Sequence, residues 1–163
     1  MAPQDRIRPV VITVSTRCAH GRATDRSGPR LVECLAGAGY PDADLVVVPD
    51  GVEPVRAALG AALGGGSRLV ITTGGTGITA SDLTPEATEP LLHAHLPGIP
   101  EAIRRDAAAR APHAVLTRGL AGTHGDAFVL NLPGSPAAVT DAMATVGPLL
   151  PHILDQLRGG THD

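Results

Sequence analysis

The chain has 163 residues, of which 43% are hydrophobic and only 1% aromatic, so one domain with a core of Val, Leu, Ile and Ala is expected. All of its 13 basic residues are arginine, and 16 acidic residues give a formal net charge of −3. The lack of a basic stripe and of stacking aromatic residues argues against a nucleic-acid partner, and the absence of an apolar run of about 18 residues argues against a membrane span.

The N-terminal residues and the cysteines indicate the cellular compartment. Residues 1–8 include an early acid and lack the apolar segment of a signal peptide, so no signal peptide is expected. Cys18 and Cys34 stand in no CxxC or zinc-binding spacing, so both are expected to be idle or buried thiols. The sequence therefore predicts a cytoplasmic protein.

The first half of the chain predicts three alternations of strand and helix. Strands are predicted at residues 10–15, 45–48 and 68–73, and helices at 27–36 and 52–63, with a loop at 16–26. The first strand is an apolar, β-branched run that is typical of a buried parallel strand. Ser27 is the expected N-cap of the first helix, with Pro29 in its first turn.

The second half predicts further helices and an antiparallel pair of strands. Helices are predicted at residues 84–95, 99–111 and 135–158, and strands at 114–117 and 127–131. Thr84 is the expected N-cap of the first of these helices, and Pro148 and Pro151 should interrupt the last one. The short Gly-rich connection at 119–126 favours an antiparallel hairpin at the sheet edge.

These elements predict an α/β fold. Residues 1–163 should form a single three-layer α/β/α domain, mostly parallel sheet with an antiparallel edge strand, with a frayed tail at 159–163. Ligands of such sheets bind beyond the carboxyl ends of the strands. The residues delivered to this edge are Ser15, Thr16 and Arg17 after the first strand, Asp50 after the second, Thr73, Gly74, Gly75, Thr76, Gly77 and Asp82 after the third, and Asn131, Gly134 and Ser135 after the last.

Two loops at this edge are candidates for anion binding. Residues 74–77, here called the glycine loop, can approach a ligand closely, and their backbone N–H groups could form a nest for phosphate. Residues 132–135 lead into a helix N-terminus, whose N–H groups and dipole favour an anion. The alternative is that both are only tight turns. A Walker A loop needs lysine, so any phosphate contact must come from backbone, hydroxyls or the arginines Arg17, Arg22, Arg26 and Arg118.

Asp50 and Asp82 follow successive strands of the predicted sheet. Paired carboxylates beside phosphate groups suit Mg²⁺, which prefers carboxylate and phosphate oxygens. The alternatives are that Asp50 is a turn residue in Pro-Asp-Gly and that Asp82 caps the next helix locally. Ser15 and Ser135 have no base partner in the sequence pattern, so a covalent nucleophile is not expected.

Two segments together carry a family resemblance. Val-Ile-Thr-Thr-Gly-Gly-Thr-Gly at 70–77 and Asp-Leu-Thr-Pro-Glu-Ala-Thr at 82–88 resemble the signature of the MogA/MoaB family of molybdenum-cofactor biosynthesis proteins. Similar family motifs match residues 25–29, 49–50 and 131–136, so that the resemblance spans about residues 9–157.

The resemblance implies adenylyl transfer, in which the terminal phosphate of molybdopterin attacks the α-phosphorus of Mg-ATP and pyrophosphate leaves. It implies that Asp50 and Asp82 are the catalytic acids tied to Mg²⁺. The residues implied in substrate binding are Ser15, Thr73, Gly74, Gly75, Thr76, Gly77, Gly134 and Ser135. Relatives assemble as trimers, sometimes as hexamers, and a homotrimer is expected.

A second function stays open beside the enzyme. A non-catalytic molybdopterin-binding or carrier protein would keep the pterin pocket without the nucleotide chemistry. Retention of Asp50 and Asp82 favours the enzyme. Ser81 and Ala137 favour the carrier, because family members often have cations at those positions. Thr16 stands where members often have an acid.

Overall fold

A six-stranded sheet forms the centre of the computed structural model, which describes residues 7–159. The strands are β1 (Val10–Val14), β2 (Asp44–Val48), β3 (Leu69–Thr73), β4 (Ala94–His95), β5 (Ala121–His124) and β6 (Ala127–Leu132). Their order is β2-β1-β3-β6-β5-β4. The first four pair in parallel, whereas β5 is antiparallel to β6 and β4 to β5. The register sets Thr73 beside both Thr13 and Leu132, so β1, β3 and β6 end at one edge.

Within residues 7–159, seven α-helices connect or cover the strands. They are α1 (Thr16–Ala19), α2 (Ser27–Gly37), α3 (Val52–Gly64), α4 (Thr84–Thr88), α5 (Gly98–Ala108), α6 (Pro136–Val146) and α7 (Leu150–Leu157). Short 3₁₀ turns occupy Glu89–Leu91, Pro112–Leu116 and Gly147–Leu149.

Alternate side chains of each central strand enter two separate cores. On β1, Val11 points to a core shared with α2, α5, α6 and α7, whereas Ile12 and Val14 point to a core shared with α3 and α4. The strand period of two produces this division. The predicted three-layer α/β/α fold, mostly parallel with an antiparallel edge, is confirmed.

The stretch Pro136–Leu157 is long and apolar enough, by length and composition alone, to cross a membrane. Six of its side chains are buried in the core that α2, α5, α6 and α7 share with Val11. They are Val139, Ala142, Met143, Val146, Leu150 and Leu154. The 3₁₀ turn at Gly147–Leu149 divides the stretch, so the predicted interruption at Pro148 is confirmed. Pro151 lies instead in the first turn of α7, where its missing N–H costs nothing.

The predicted strand at 114–117 is wrong. That segment lies in the 3₁₀ turn Pro112–Leu116, and its apolar side chains stay exposed, with Val115 57% and Leu116 50% accessible. The antiparallel partner of β6 is β5, inside the segment predicted as a connection. Gly125, at φ +58°, makes the tight hairpin turn between the two strands.

The helix predicted from Thr84 to His95 is also wrong in its length. It ends at Thr88, and β4 takes up Ala94–His95. Pro90 lacks the N–H that would continue the α-helical hydrogen bonds, and the chain passes into the 3₁₀ turn Glu89–Leu91. Thr84 is the first helical residue and not the N-cap.

Two further local predictions are corrected. The segment predicted as a loop begins with α1, which Ser15 caps by accepting a hydrogen bond from the Cys18 N–H at 3.3 Å. Ser27 lies inside α2, and Asp25 binds the first turn instead, through the Gly28 N–H at 3.0 Å. Of the predicted frayed tail, residues 160–163 lie outside the described part of the chain.

Candidate functional site

The glycine loop and the loop before α6 pack directly against each other. The Gly74 N–H donates to the Leu132 carbonyl at 2.9 Å, and the Thr73 hydroxyl donates to the Pro133 carbonyl at 2.8 Å. A Cβ atom on Gly134 would lie 3.1 Å from the Gly74 Cα. The predicted meeting of the two loops at one edge of the sheet is therefore confirmed.

Gly74 is required by its conformation as well as by space. Its φ is +103°, which L side chains rarely adopt, and a Cβ atom there would lie 2.3 Å from the Val14 carbonyl oxygen. The loop thus leaves β3 pressed against the end of β1. This close backbone approach needs glycine at position 74.

A buried polar network holds the glycine loop from below. The Asn131 amide donates to the hydroxyls of Thr72 and Thr88, both at 3.0 Å. Thr88 donates to the Thr84 carbonyl at 2.8 Å, and the Thr84 hydroxyl donates to the Gly74 carbonyl at 3.0 Å. Asn131, expected at the open edge, is instead buried at 3% exposure, so its contribution is structural.

A pocket of about 680 Å³ opens above the two loops. From the predicted site it is lined by Gly75, Thr76, Gly77, Asp82, Gly134 and Ser135. Thr73 and Gly74 are buried behind this surface and support it. The opposite wall comes from α5 and the 3₁₀ turn that follows, including Ile103, Arg104 and Leu116.

The hydroxyls on the pocket wall already have partners. Ser135 caps α6 by accepting from the Ala138 N–H at 3.1 Å, and this cap places the helix N-terminus at the pocket. Thr76 accepts a hydrogen bond from the Thr117 hydroxyl at 2.9 Å. The site can therefore offer an anion the end of α6 and the backbone of the glycine loop.

Asp82 lines the pocket and also braces its own loop. Its Oδ2 atom accepts hydrogen bonds from the Thr79 N–H at 3.0 Å and the Thr79 hydroxyl at 2.7 Å. Its Oδ1 atom has no hydrogen-bond partner among residues 7–159. The carboxylate is thus held in place with one oxygen available.

Arg118 holds the segment that carries Asp82. Its backbone N–H donates to the Thr76 carbonyl at 2.8 Å, and its guanidinium donates to the carbonyls of Gly77 and Asp82 at 2.8 and 2.6 Å. The same guanidinium pairs with Glu86, and this hydrogen bond lowers the pKa of Glu86 below its ordinary value of 4.5. Arg118, considered above for phosphate, is therefore committed to the loop.

Asp50 lies at the end of β2, beside the first turn of α1. Its Oδ2 atom accepts from both the N–H and the hydroxyl of Thr16, at 2.8 and 2.7 Å, and its own N–H donates to that hydroxyl at 3.0 Å. The pocket that includes Asp82 includes neither Asp50 nor Ser15 in its lining. The two predicted acids therefore lie at different places on the sheet edge: Asp82 at the pocket, and Asp50 at the end of β2 beside α1.

Whether Mg²⁺ can bind here depends on the oxygen ligands that these acids offer. Within residues 7–159 no three His, Cys, Asp or Glu side chains are grouped to hold a metal ion. Asp50 and Asp82 each keep one carboxylate oxygen without a hydrogen-bond partner in the described structure. Mg²⁺ is commonly bound by one or two carboxylates together with substrate phosphates. Asp50 and Asp82 therefore fit Mg²⁺ only if phosphate oxygens of a substrate supply the remaining ligands.

Sequence patterns missed the α5 wall of the pocket, including Arg104. Nothing in the local sequence around Arg104 marks a site, because its position depends on the packing of α5 against α6. Of the other arginines considered, Arg17 and Arg26 are exposed, and Arg22 contacts His20 at 2.9 Å.

Comparisons with known proteins agree with this geometry. Residues 10–152 match the family described as "Probable molybdopterin binding domain". A molybdenum cofactor biosynthesis bifunctional protein of Synechococcus elongatus is 40% identical over 93% of this chain and 48% of its own length. A molybdopterin adenylyltransferase of Pyrococcus furiosus is 38% identical over 91% of this chain and 89% of its own length.

Solved structures give the same result. The crystal structure of a molybdopterin biosynthesis protein from Mycobacterium abscessus superposes with a TM-score of 0.88 at 46% identity, covering 93% of this chain and 96% of that one. The chain spans about half or less of the length of the first curated relatives that it matches. On these matches, together with the paired loops and their pocket, the chain belongs to the molybdopterin-binding family that includes the MogA and MoaB proteins of molybdenum-cofactor biosynthesis.

Proposed function

We propose that this protein transfers the adenylyl group of Mg-ATP to the terminal phosphate of molybdopterin. The observation that carries the proposal is the pocket of about 680 Å³ in which the glycine loop, the α6 N-terminus and Asp82 meet. Relatives that are 38–40% identical and are named molybdopterin adenylyltransferase support the same reaction.

In this reaction a phosphate oxygen of molybdopterin attacks the α-phosphorus of ATP. The new P–O bond forms as the bond to the β-phosphate breaks, and pyrophosphate leaves with its electron pair. Such transfers need positioning and charge neutralisation more than a protein nucleophile. The N–H groups at residues 75–77 and at the start of α6 would orient the phosphates, and both loops are fixed by the contacts described above.

Asp82 at the pocket and Asp50 at the end of β2 would each offer an available carboxylate oxygen to magnesium carried by the substrate phosphates. When bound, Mg²⁺ neutralises phosphate charge during the transfer. The Thr16 and Thr79 hydrogen bonds fix the two carboxylates beforehand, which lowers the ordering cost when substrate arrives.

The direct test incubates the protein with molybdopterin and Mg-ATP and measures pyrophosphate. Asp82→Asn should lower the rate by about 10²–10³, as expected for loss of one preorganised charge. Asp44→Asn is the matched control, since Asp44 is an exposed acid that pairs with Arg8 at the opposite end of the sheet. Full activity of Asp82→Asn would remove Asp82 from the mechanism.

Ser81 and Ala137 favour the second candidate, a molybdopterin-binding or carrier protein. Ala137 lines the pocket with a methyl group where family members often have lysine. A carrier would bind molybdopterin tightly but release no pyrophosphate from Mg-ATP, whichever acids are present. Measurement of both quantities on the wild type separates the two functions.

We also propose that the protein is a cytoplasmic homotrimer in which each chain is one domain. Support for assembly comes from β2, an edge strand with the apolar side chains of Leu45, Val46 and Val47 37–43% exposed. Apolar edge strands are usually covered, because they otherwise pair with other chains. Analytical ultracentrifugation should give three times the chain mass of 16.5 kDa, and a monomer at micromolar concentration would contradict the proposal.

A further inference from the structure

Arg104 is a guanidinium on the pocket wall with most of its hydrogen-bonding capacity unused. It lies on α5 and lines the same pocket as the glycine loop and Ser135. Within residues 7–159, its side chain makes one long hydrogen bond, from Nη1 to the Thr117 carbonyl at 3.3 Å. No carboxylate of the described residues pairs with it. A guanidinium carries five N–H donors, so its remaining donors are open to a ligand.

Two other charged side chains at or near the pocket, Asp141 and Arg118, are already engaged. Asp141 lines the pocket, but Arg110 binds both of its carboxylate oxygens at 2.8 and 3.3 Å. Arg118 is committed to backbone carbonyls and to Glu86. Arg104 is the one arginine among the described residues that line the pocket, and no described acid pairs with it.

The surface of α5 beside Arg104 leaves room for a ligand. Ala107, three positions further along α5, lines the pocket on the same face of the helix as Arg104. Ala111, in the extended segment after α5, also lines the pocket, and alanine projects only a methyl group. The guanidinium thus stands beside a pocket that the glycine loop and Ser135 also line.

We propose that Arg104 binds a phosphate group of the ligand in this pocket. It would supply the cation that the chain lacks at Ser81 and Ala137. The planar guanidinium matches a phosphate through two parallel N–H···O bonds, and the opposite charges make each of them about twice as strong as a neutral hydrogen bond. This inference rests on the proposed function to the extent that the ligand is phosphorylated, but it does not require the protein to catalyse adenylyl transfer.

Arg105 provides a matched control on the same helix. It is the next residue, carries the same charge, is 75% exposed and pairs with Asp106 at 3.1 Å. It does not line the pocket. Arg104→Gln and Arg105→Gln therefore change the net charge of the protein equally, and only the first removes a donor from the pocket.

The experiment titrates the full chain with inorganic pyrophosphate and with AMP, by calorimetry at low and moderate salt. Arg104→Gln should weaken binding of at least one of these probes by about tenfold or more, while Arg105→Gln stays within about twofold of wild type. Arg104→Lys should recover only part of the loss, because it keeps the charge without the two-pronged geometry. The salt dependence of binding should be shallower in Arg104→Gln than in wild type.

Two outcomes overturn the proposal: equal binding by Arg104→Gln and Arg105→Gln, or no binding of either probe by wild type at millimolar concentration. Matching circular dichroism spectra of the variants show that a loss does not come from unfolding. Absence of pyrophosphate release from Mg-ATP and molybdopterin would overturn adenylyl transfer alone. The titration would still decide the role of Arg104.

Discussion

Replacement of Asn131 by leucine tests whether the buried polar network fixes the glycine loop. Leucine has a similar size, so the change removes hydrogen bonds more than it creates a cavity. It deletes the donors to Thr72 and Thr88 and the Oδ1 acceptor of the Leu120 N–H at 3.1 Å. The two threonine hydroxyls can reorient, but the Leu120 N–H has no other partner in the described structure.

The expected loss follows from these three bonds. Each buried hydrogen bond contributes about 1 kcal/mol, and an N–H left without an acceptor costs about 1–3 kcal/mol. The free energy of unfolding should therefore fall by about 3 kcal/mol. For a domain of this size that corresponds to a decrease in Tm of about 6–12 °C.

The assay is urea unfolding followed by far-ultraviolet circular dichroism, because the chain has no tryptophan to report fluorescence. The midpoint should shift while the slope stays constant. Thr88→Val and the double variant complete a cycle, and the two residues should couple by at least about 0.5 kcal/mol since they share a hydrogen bond. A loss below about 1 kcal/mol, or strict additivity, would refute a cooperative network.

Two further predictions concern the glycine loop and the Arg118–Glu86 ion pair beside it. Gly74→Ala should destabilise the protein strongly, because its Cβ would lie 2.3 Å from the Val14 carbonyl oxygen. Gly60→Ala on α3, where a Cβ meets open space, should instead stabilise the protein by about 0.5–1 kcal/mol. Thermal melts in which Gly74→Ala is as stable as Gly60→Ala would contradict this prediction. Since the pairing with Arg118 lowers the pKa of Glu86, this ion pair adds stability above pH 4.5, and the added stability is lost as the pH falls through the lowered pKa. The pair is partly exposed, so its contribution to the free energy of unfolding should stay below about 1 kcal/mol. In Glu86→Gln, the free energy of unfolding measured against pH should lack this decrease.

The central strands were predictable because their signal is local. Apolar, β-branched runs give β1 and β3 to within a residue or two of their ends, since these strands are buried on both faces. The run at 114–117 has similar composition but follows Pro112, and it faces solvent beside the pocket. Composition alone could not separate these cases, because exposure depends on which helix covers the segment.

The candidate site also has a part that the sequence predicts and a part that it does not. The two loops were predictable because glycine and proline mark them in the sequence, and parallel strands bring their ends together. Asp50 and Asp82 both follow strands, yet the structure places only Asp82 at the pocket. Side-chain position beyond a strand end depends on loop contacts, such as those with Thr16 and Thr79, which residue spacing does not reveal.

Two arginines near the pocket show why residue type does not assign function in a chain without lysine. Arg118 is surrounded by two carbonyls and the Glu86 carboxylate, which use its donors and fix the loop that carries Asp82. Arg104 has one long hydrogen bond and no acidic partner among the described residues. A phosphate that approached Arg118 would have to displace three interactions that hold the loop, whereas Arg104 can bind it at no such cost. The difference in available donors, rather than in charge, is what makes Arg104 the phosphate-binding candidate and Arg118 a structural support for the site.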